Sequence, residues 1–169
     1  MEFSDVIVNR QSVRSFKPDP IDEETLLKVL EAARLAPTAC NYQPFQLIVI
    51  RTQGRESELK KIYHLDWFTK APIVIMACGI PSRGWVNSEG KNFTDIDVAI
   101  VMDHLILAAT DAGLGTCWVA PDDPQAARKI LNLPEGVEPI VLTPLGYPAG
   151  KPHTTRRKPL SELVRYEHW

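Results

Sequence analysis

Residues 96–118 read IDVAIVMDHLILAATDAGLGTCW, and the rest of the chain has to be arranged around them. At 100° per residue, Asp97, His104 and Asp111 fall on one stripe and Asp103 with Thr110 on another, while Ile100, Leu107 and Leu114 lie between the two. The remaining arc, with Val98, Val101, Met102, Leu105, Ile106, Ala108, Ala109 and Ala112, carries no charge. A helix lying on one sheet needs a single apolar face. The ridge that splits the polar side therefore calls for a second contact surface, either another layer of this chain or the same helix in a second subunit. So short a chain has few other layers to offer, which favours a subunit interface.

The chain has 169 residues, 44% hydrophobic and 24% charged, values that suit one globular domain spanning 1–169. A net charge of -2 gives no electrostatic footing for nucleic acid. Asp95, Asp97, Asp103 and Asp111 interrupt the longest apolar candidate, so no membrane span is expected. The opening MEFSDVIVNR lacks the basic and apolar regions of a signal peptide, which predicts a cytoplasmic protein. Cys40, Cys78 and Cys117 have no C-x-x-C spacing and read as free thiols in a reducing compartment.

On the amino-terminal side, Ser4 can cap a short helix over 5–9, and Arg10, Arg14 and Lys17 follow at once. The segment RQSVRSF reads either as a solvated edge or as a phosphate site in which Arg10, Ser12 and Arg14 converge, since arginine forks and serine hydroxyls both suit phosphate oxygens. Asp22 starts the next helix, with Glu23 and Glu24 in its first turn and Leu26, Leu27, Leu30, Ala33 and Leu35 on its apolar face. Pro37 ends it. The loop PTACNYQPF offers the amides of Asn41 and Gln43, which can read a heteroaromatic edge or satisfy the loop's own backbone. Gln46–Arg51 is expected to be an inner strand, 57–65 a short helix with Leu59, Ile62 and Tyr63 inward, and IVIMACG a strand covered on both faces. In 81–95 the glycines and small polar residues deny regular structure, and Trp85 with Phe93 either covers a ligand or pins the loop to the core.

On the carboxyl side, the central helix closes at Gly113 and Gly115, the latter read as its cap, and runs into a brief strand TCWVA. Asp122 or Asp123 caps a helix over 124–131, and PIVLTPLGYP supplies the last core strand. A second basic cluster, KPHTTRRKP, precedes a short helix around Leu160–Tyr166. If the two termini meet, their basic clusters form one anion pocket. No G-x-G-x-x-G, G-K-[ST], G-x-S-x-G or H-E-x-x-H occurs, and His64, His104, His153 and His168 have no ligand-like spacing. No metal is expected, and any chemistry falls to a cofactor.

Five segments in this order, RQSVRSF, APTACNYQPF, AxxxxxxHLxLAAxxxGLGTCW, LGYP and RRKPLSELV, resemble the nitroreductase family of FMN-dependent oxidoreductases in its short form. Each is only a few residues long; together, at these spacings, they span about residues 3–165. The resemblance implies an α+β fold, a mixed or antiparallel central sheet flanked by helices, in an intertwined homodimer with FMN at the interface. It places Arg10, Ser12 and Arg14 at the phosphate and ribityl end, closed by Arg157 with Arg156 or Lys158 from the tail. Pro37, Thr38, Ala39, Asn41 and Gln43 of the other subunit border the flavin, and Trp118, Val119 and Ala120 lie along its ring. The tail 151–169 packs on the partner subunit. NADH or NADPH passes a hydride to flavin N5, and a small flat electron-poor acceptor, a nitroarene or quinone, is then reduced in the same space. No protein acid or base is required.

The chain departs from larger members in having only the loop 81–95 where they carry a long helical excursion that shapes the substrate pocket. Phe45 stands where many relatives have tryptophan, and Thr38 where many have serine. Rival readings are a non-redox FMN-binding module, another flavin reaction such as dehalogenation or ring fragmentation, and a structural protein without cofactor.

Overall fold

The computed structural model describes residues 1–150 and 155–169, so Lys151 and His153 of the second basic cluster lie outside the described residues. In chain order its elements are α1 (Phe3–Asn9), α2 (Glu23–Arg34), β1 (Phe45–Arg51), α3 (Glu56–Leu59), β2 (Ile73–Gly79), α4 (Thr94–Asp111), β3 (Gly115–Thr116), α5 (Pro124–Ile130), β4 (Glu138–Gly146) and α6 (Leu160–Leu163). Four strands form one sheet in the order β1-β2-β4-β3. Every pairing within it is antiparallel. The parallel element of a mixed sheet is reduced to an isolated bridge between Ser12 and Thr116.

The sheet is covered on both faces, and β2 shows why its sequence has no polar alternation. Successive side chains point to opposite faces. Ile73, Ile75 and Ala77 pack with Val98, Val101, Met102, Leu105 and Ala109 of α4 and with Leu26, Val29 and Ala33 of α2. Val74, Met76 and Cys78 face Leu59, Ile62, Phe68 and Ala127 on the other side. α4 is 18 residues long, about 27 Å at 1.5 Å per residue. It ends in a Schellman arrangement: Gly113 takes φ +74, its N–H donates to Thr110 O, and Leu114 N–H donates to Ala109 O. Gly113, not Gly115, is thus the cap. Gly115 lies in β3, where its role is close approach to Val13.

Several expectations are corrected. β1 is an edge strand, paired only with β2, although its run of apolar residues imitates an inner one. On α2 the buried face is Leu26, Val29 and Ala33, while Leu27 and Leu35 are exposed, because the helix meets α4 along the 26/29/33 row. The strand TCWVA breaks after Thr116: Cys117 N–H donates to the Thr143 hydroxyl in place of a ladder carbonyl, and pairing resumes only at Val119 with Leu142. Asp123 caps α5 by accepting from Gln125 and Ala126 N–H, which leaves Asp122 for His64. Between 81 and 95 the chain folds on itself, with Trp85 and Phe93 edge to face at 4.9 Å between centroids.

Candidate functional site

Two of the sequence-selected groups form tight local clusters, and they sit at opposite ends of α4. The first follows α1. Val13 N–H donates to Thr116 O at 2.8 Å, which lays Arg10–Arg14 against β3 just beyond the C-terminal end of α4. Gly115 makes this possible, since a Cβ there would meet Val13 Cγ2 at 2.8 Å. The N-terminal ammonium bonds Asp111 at the same helix end. Arg10, Ser12 and Arg14 all act on one thiol: burial pushes Cys117 up, and Arg14, Ser12 and Arg10 pull it back. All three residues lie on the one short segment that Ser12 and Val13 hold against Thr116. Among the described residues neither Arg10 nor Arg14 has a carboxylate within ion-pair distance, whereas Arg34, Arg51, Arg55 and Arg128 each have one. Arg14 instead lies over the Trp67 ring, 5.7 Å from its centroid.

The second cluster is the loop 37–43, fixed near the N-terminal end of α4. Ala39 N–H donates to Asp97 Oδ1 at 2.9 Å and Gln43 N–H to the Thr38 hydroxyl at 3.0 Å, while the Gln43 side-chain amide donates to Asn41 O. Cys40, Asn41 and Gln43 hold φ of 51, 56 and 51, left-handed values that cost free energy in non-glycine residues and concentrate at functional sites. Asp97 is the residue the sequence reading missed. Assigned to a polar stripe, it is 2% exposed, and among the described residues its second oxygen has no hydrogen-bond partner. Nothing in the pattern of the helix distinguishes it from the exposed Asp95.

Trp118–Ala120 follow directly on Cys117. Val119 is buried by its bridge to Leu142, so its side chain belongs to the core, and Ala120 is exposed. Trp118, 43% exposed, shares an open hollow of about 570 Å³ with Ile96, Ala99, Ile100, Asp103 and His104 along α4. In the tail, Arg156, Arg157 and Lys158 are exposed, and Lys158 pairs with Glu162 at 3.8 Å. A cleft of about 530 Å³ elsewhere, lined by Arg51, Lys60 and Lys70 among others, contains none of the selected residues. Among the described residues no group of three His, Cys, Asp or Glu is placed to hold a metal, and no helix is long and apolar enough to cross a membrane.

A doubly covered antiparallel sheet and one long buried helix define an α+β domain, with arginines beside that helix that have no carboxylate partner among the described residues. The chain belongs to the nitroreductase family: the family's sequence model matches residues 7–65 and 58–147. It is similar to a nitroreductase family protein from Clostridium difficile 630, with 37% identity, all of both chains covered and a TM-score of 0.92. A nitroreductase family protein from Clostridium novyi NT matches at 33% identity over 88% of this chain and 86% of that one, with a TM-score of 0.81. Among curated relatives, a Bacillus subtilis protein named FMN reductase [NAD(P)H] is 27% identical over 181 residues, 95% of this chain and 71% of that protein. Membership in the nitroreductase family makes this chain a member of an enzyme family.

Proposed function

We propose that the protein is an FMN-dependent NAD(P)H oxidoreductase that works as a homodimer and reduces small flat electron acceptors, nitroarenes or quinones. The placement of Arg10, Ser12 and Arg14 on one segment against β3, with no carboxylate partner for either arginine among the described residues, carries this reading. Two guanidinium forks and a hydroxyl match the acceptor oxygens of a phosphate, so the donor set fits the phosphate end of FMN. FMN, when bound, would supply hydride-transfer chemistry between NADH or NADPH and the acceptor. The chain's own share is to hold and orient. Arg10, Ser12 and Arg14 bind the phosphate, with Arg157 and its neighbours Arg156 and Lys158 closing over it. The loop residues Pro37, Thr38, Ala39, Asn41 and Gln43 border the ring, with left-handed backbone at Asn41 and Gln43, and Trp118 with the backbone of Val119 and Ala120 lies beside it.

Separation of the two clusters along α4 supports the dimer. Asp97 and Asp111 are 14 residues apart on one helix, roughly 21 Å along its axis. One ligand cannot bridge that span within a chain, whereas two antiparallel copies of α4 related by a two-fold axis bring the loop of one protomer to the arginines of the other. Ile96 and Trp118 are exposed beside the half-buried Ile100 on the α4 face such a pairing would cover, and Leu160, Leu163, Tyr166 and Trp169 in the tail are apolar or aromatic and exposed. These side chains suit a tail that packs on the partner subunit.

Flavin titrations of Arg14→Ala and Arg157→Ala test the assignment. Loss of one charge-assisted bond weakens FMN binding about ten- to a hundredfold and riboflavin binding much less, because riboflavin has no phosphate. FMN affinities equal to the parent in both variants would place the phosphate elsewhere.

A further inference from the structure

Among the described residues Arg14 has no carboxylate partner, but it has an aromatic ring beneath it. Its guanidinium lies 5.7 Å from the centroid of Trp67, inside the range of a cation–π contact. Trp67 does not stand alone. It meets Tyr63 edge on at 5.6 Å and Phe68 edge on at 6.3 Å, and Tyr63 and Phe68 are 5.1 Å apart, so the three rings form a closed triangle. Phe68 is fully buried and anchors that triangle in the core. Trp67 also packs against Val13 and Phe16, which flank Arg14 in the chain. The ring beneath the guanidinium is therefore fixed from below by Phe68 and from the side by the neighbours of the very residue it supports.

An arginine on an open surface without a counter-charge spreads over many rotamers, and a ligand that recruits it must bear the loss of that freedom. A ring held under the fork removes much of that loss beforehand. We infer that Trp67 is a positioning residue, a fixed aromatic platform that holds the Arg14 fork ready for a phosphate monoester. This rests on the assignment of Arg14 to the FMN phosphate. The short helical turn Asp66–Lys70 thereby becomes a determinant of the choice between phosphorylated and unphosphorylated flavin.

Phenylalanine and leucine at position 67 separate the platform from mere packing, since both fill apolar space and only phenylalanine offers a π face. FMN and riboflavin dissociation constants are measured for Trp67→Phe, Trp67→Leu, Arg14→Ala and the double variant Arg14→Ala/Trp67→Leu, with thermal melts to confirm folding. Trp67→Leu should weaken FMN about two- to fivefold and leave riboflavin unchanged, and Trp67→Phe should recover most of the loss. In the Arg14→Ala background Trp67→Leu should add nothing, because the residue it positions is gone. Equal FMN affinities for the phenylalanine and leucine variants, or an equal loss for riboflavin, would reduce Trp67 to packing and overturn the inference. If Arg14→Ala itself leaves FMN affinity intact, the phosphate assignment fails first, and that outcome is read independently of position 67.

Discussion

Replacing Gly115 by alanine probes the join on which the arginine cluster depends. The added Cβ falls 2.8 Å from Val13 Cγ2 and 2.9 Å from Val13 Cβ and Cγ1, closer than real Cβ contacts come. Val13 is 9% exposed, so its side chain has little room to turn away. Backbone retreat is also resisted, because Val13 N–H is bonded to Thr116 O at 2.8 Å. Overpacking of this kind costs about 1–3 kcal/mol, a fall in melting temperature of roughly 2–12 °C for a domain of this size. Ser12 and Arg14 flank the displaced residue, so FMN affinity should fall together with stability. Val29→Ala, in the core between α2 and α4, lowers stability to a similar order and leaves FMN affinity unchanged, which separates displacement of the site from general loosening. Val13→Ala added to Gly115→Ala should restore part of both losses. Thermal melts and FMN titrations of the four proteins give the answer. A Gly115→Ala protein that melts with the parent and binds FMN equally well would refute the argument.

Asp97→Ala removes the acceptor for Ala39 N–H and should cost about 1–3 kcal/mol and lower FMN affinity, whereas Asp97→Asn keeps an acceptor and retains most of both; denaturant unfolding and flavin titration distinguish them. Burial pushes the Cys78 thiol up to about 11 from an ordinary value near 9, so its contribution to stability is complete below pH 9 and lost as pH rises toward 11. Stability curves over that window should therefore fall less steeply for Cys78→Ala, and at pH 8 a thiol reagent should label the exposed Cys40 long before Cys78 or Cys117. Sedimentation equilibrium should return a dimer at micromolar concentration, and Ile100→Glu, on the half-buried ridge of α4, should shift it toward monomer.

Much of the fold was legible because periodicity and punctuation agree. The helix–strand order, the Asp22 cap, the doubly covered β2 and the glycine-closed end of α4 all follow from patterns only a few residues long. The misreadings share a cause: each depends on what lies beside a segment in space. β1 has the composition of an inner strand, and only the topology makes it an edge. Thr143 interrupts β3 from 26 residues away. Asp97 and Asp95 are alike in sequence, and only the loop 37–43 folding onto one of them tells them apart. Within the candidate site, the grouping of Arg10, Ser12 and Arg14 on one segment was readable from their spacing, while the choice between a solvated edge and a phosphate site was not. The Trp67 platform was not, although YHLDWF displays its aromatic residues, because the stacking is set by the packing of Phe68 beneath them.

Anaerobic mixing of the FMN-loaded protein with NADH and, separately, NADPH, followed by a quinone, addresses the central proposal most directly. The visible flavin band should bleach with at least one of the two nicotinamides and return when the quinone is added. A protein that holds FMN tightly yet keeps its band unchanged with both would be a flavin-binding module and not an oxidoreductase, and one that binds no FMN at all would contradict the reading of its arginines.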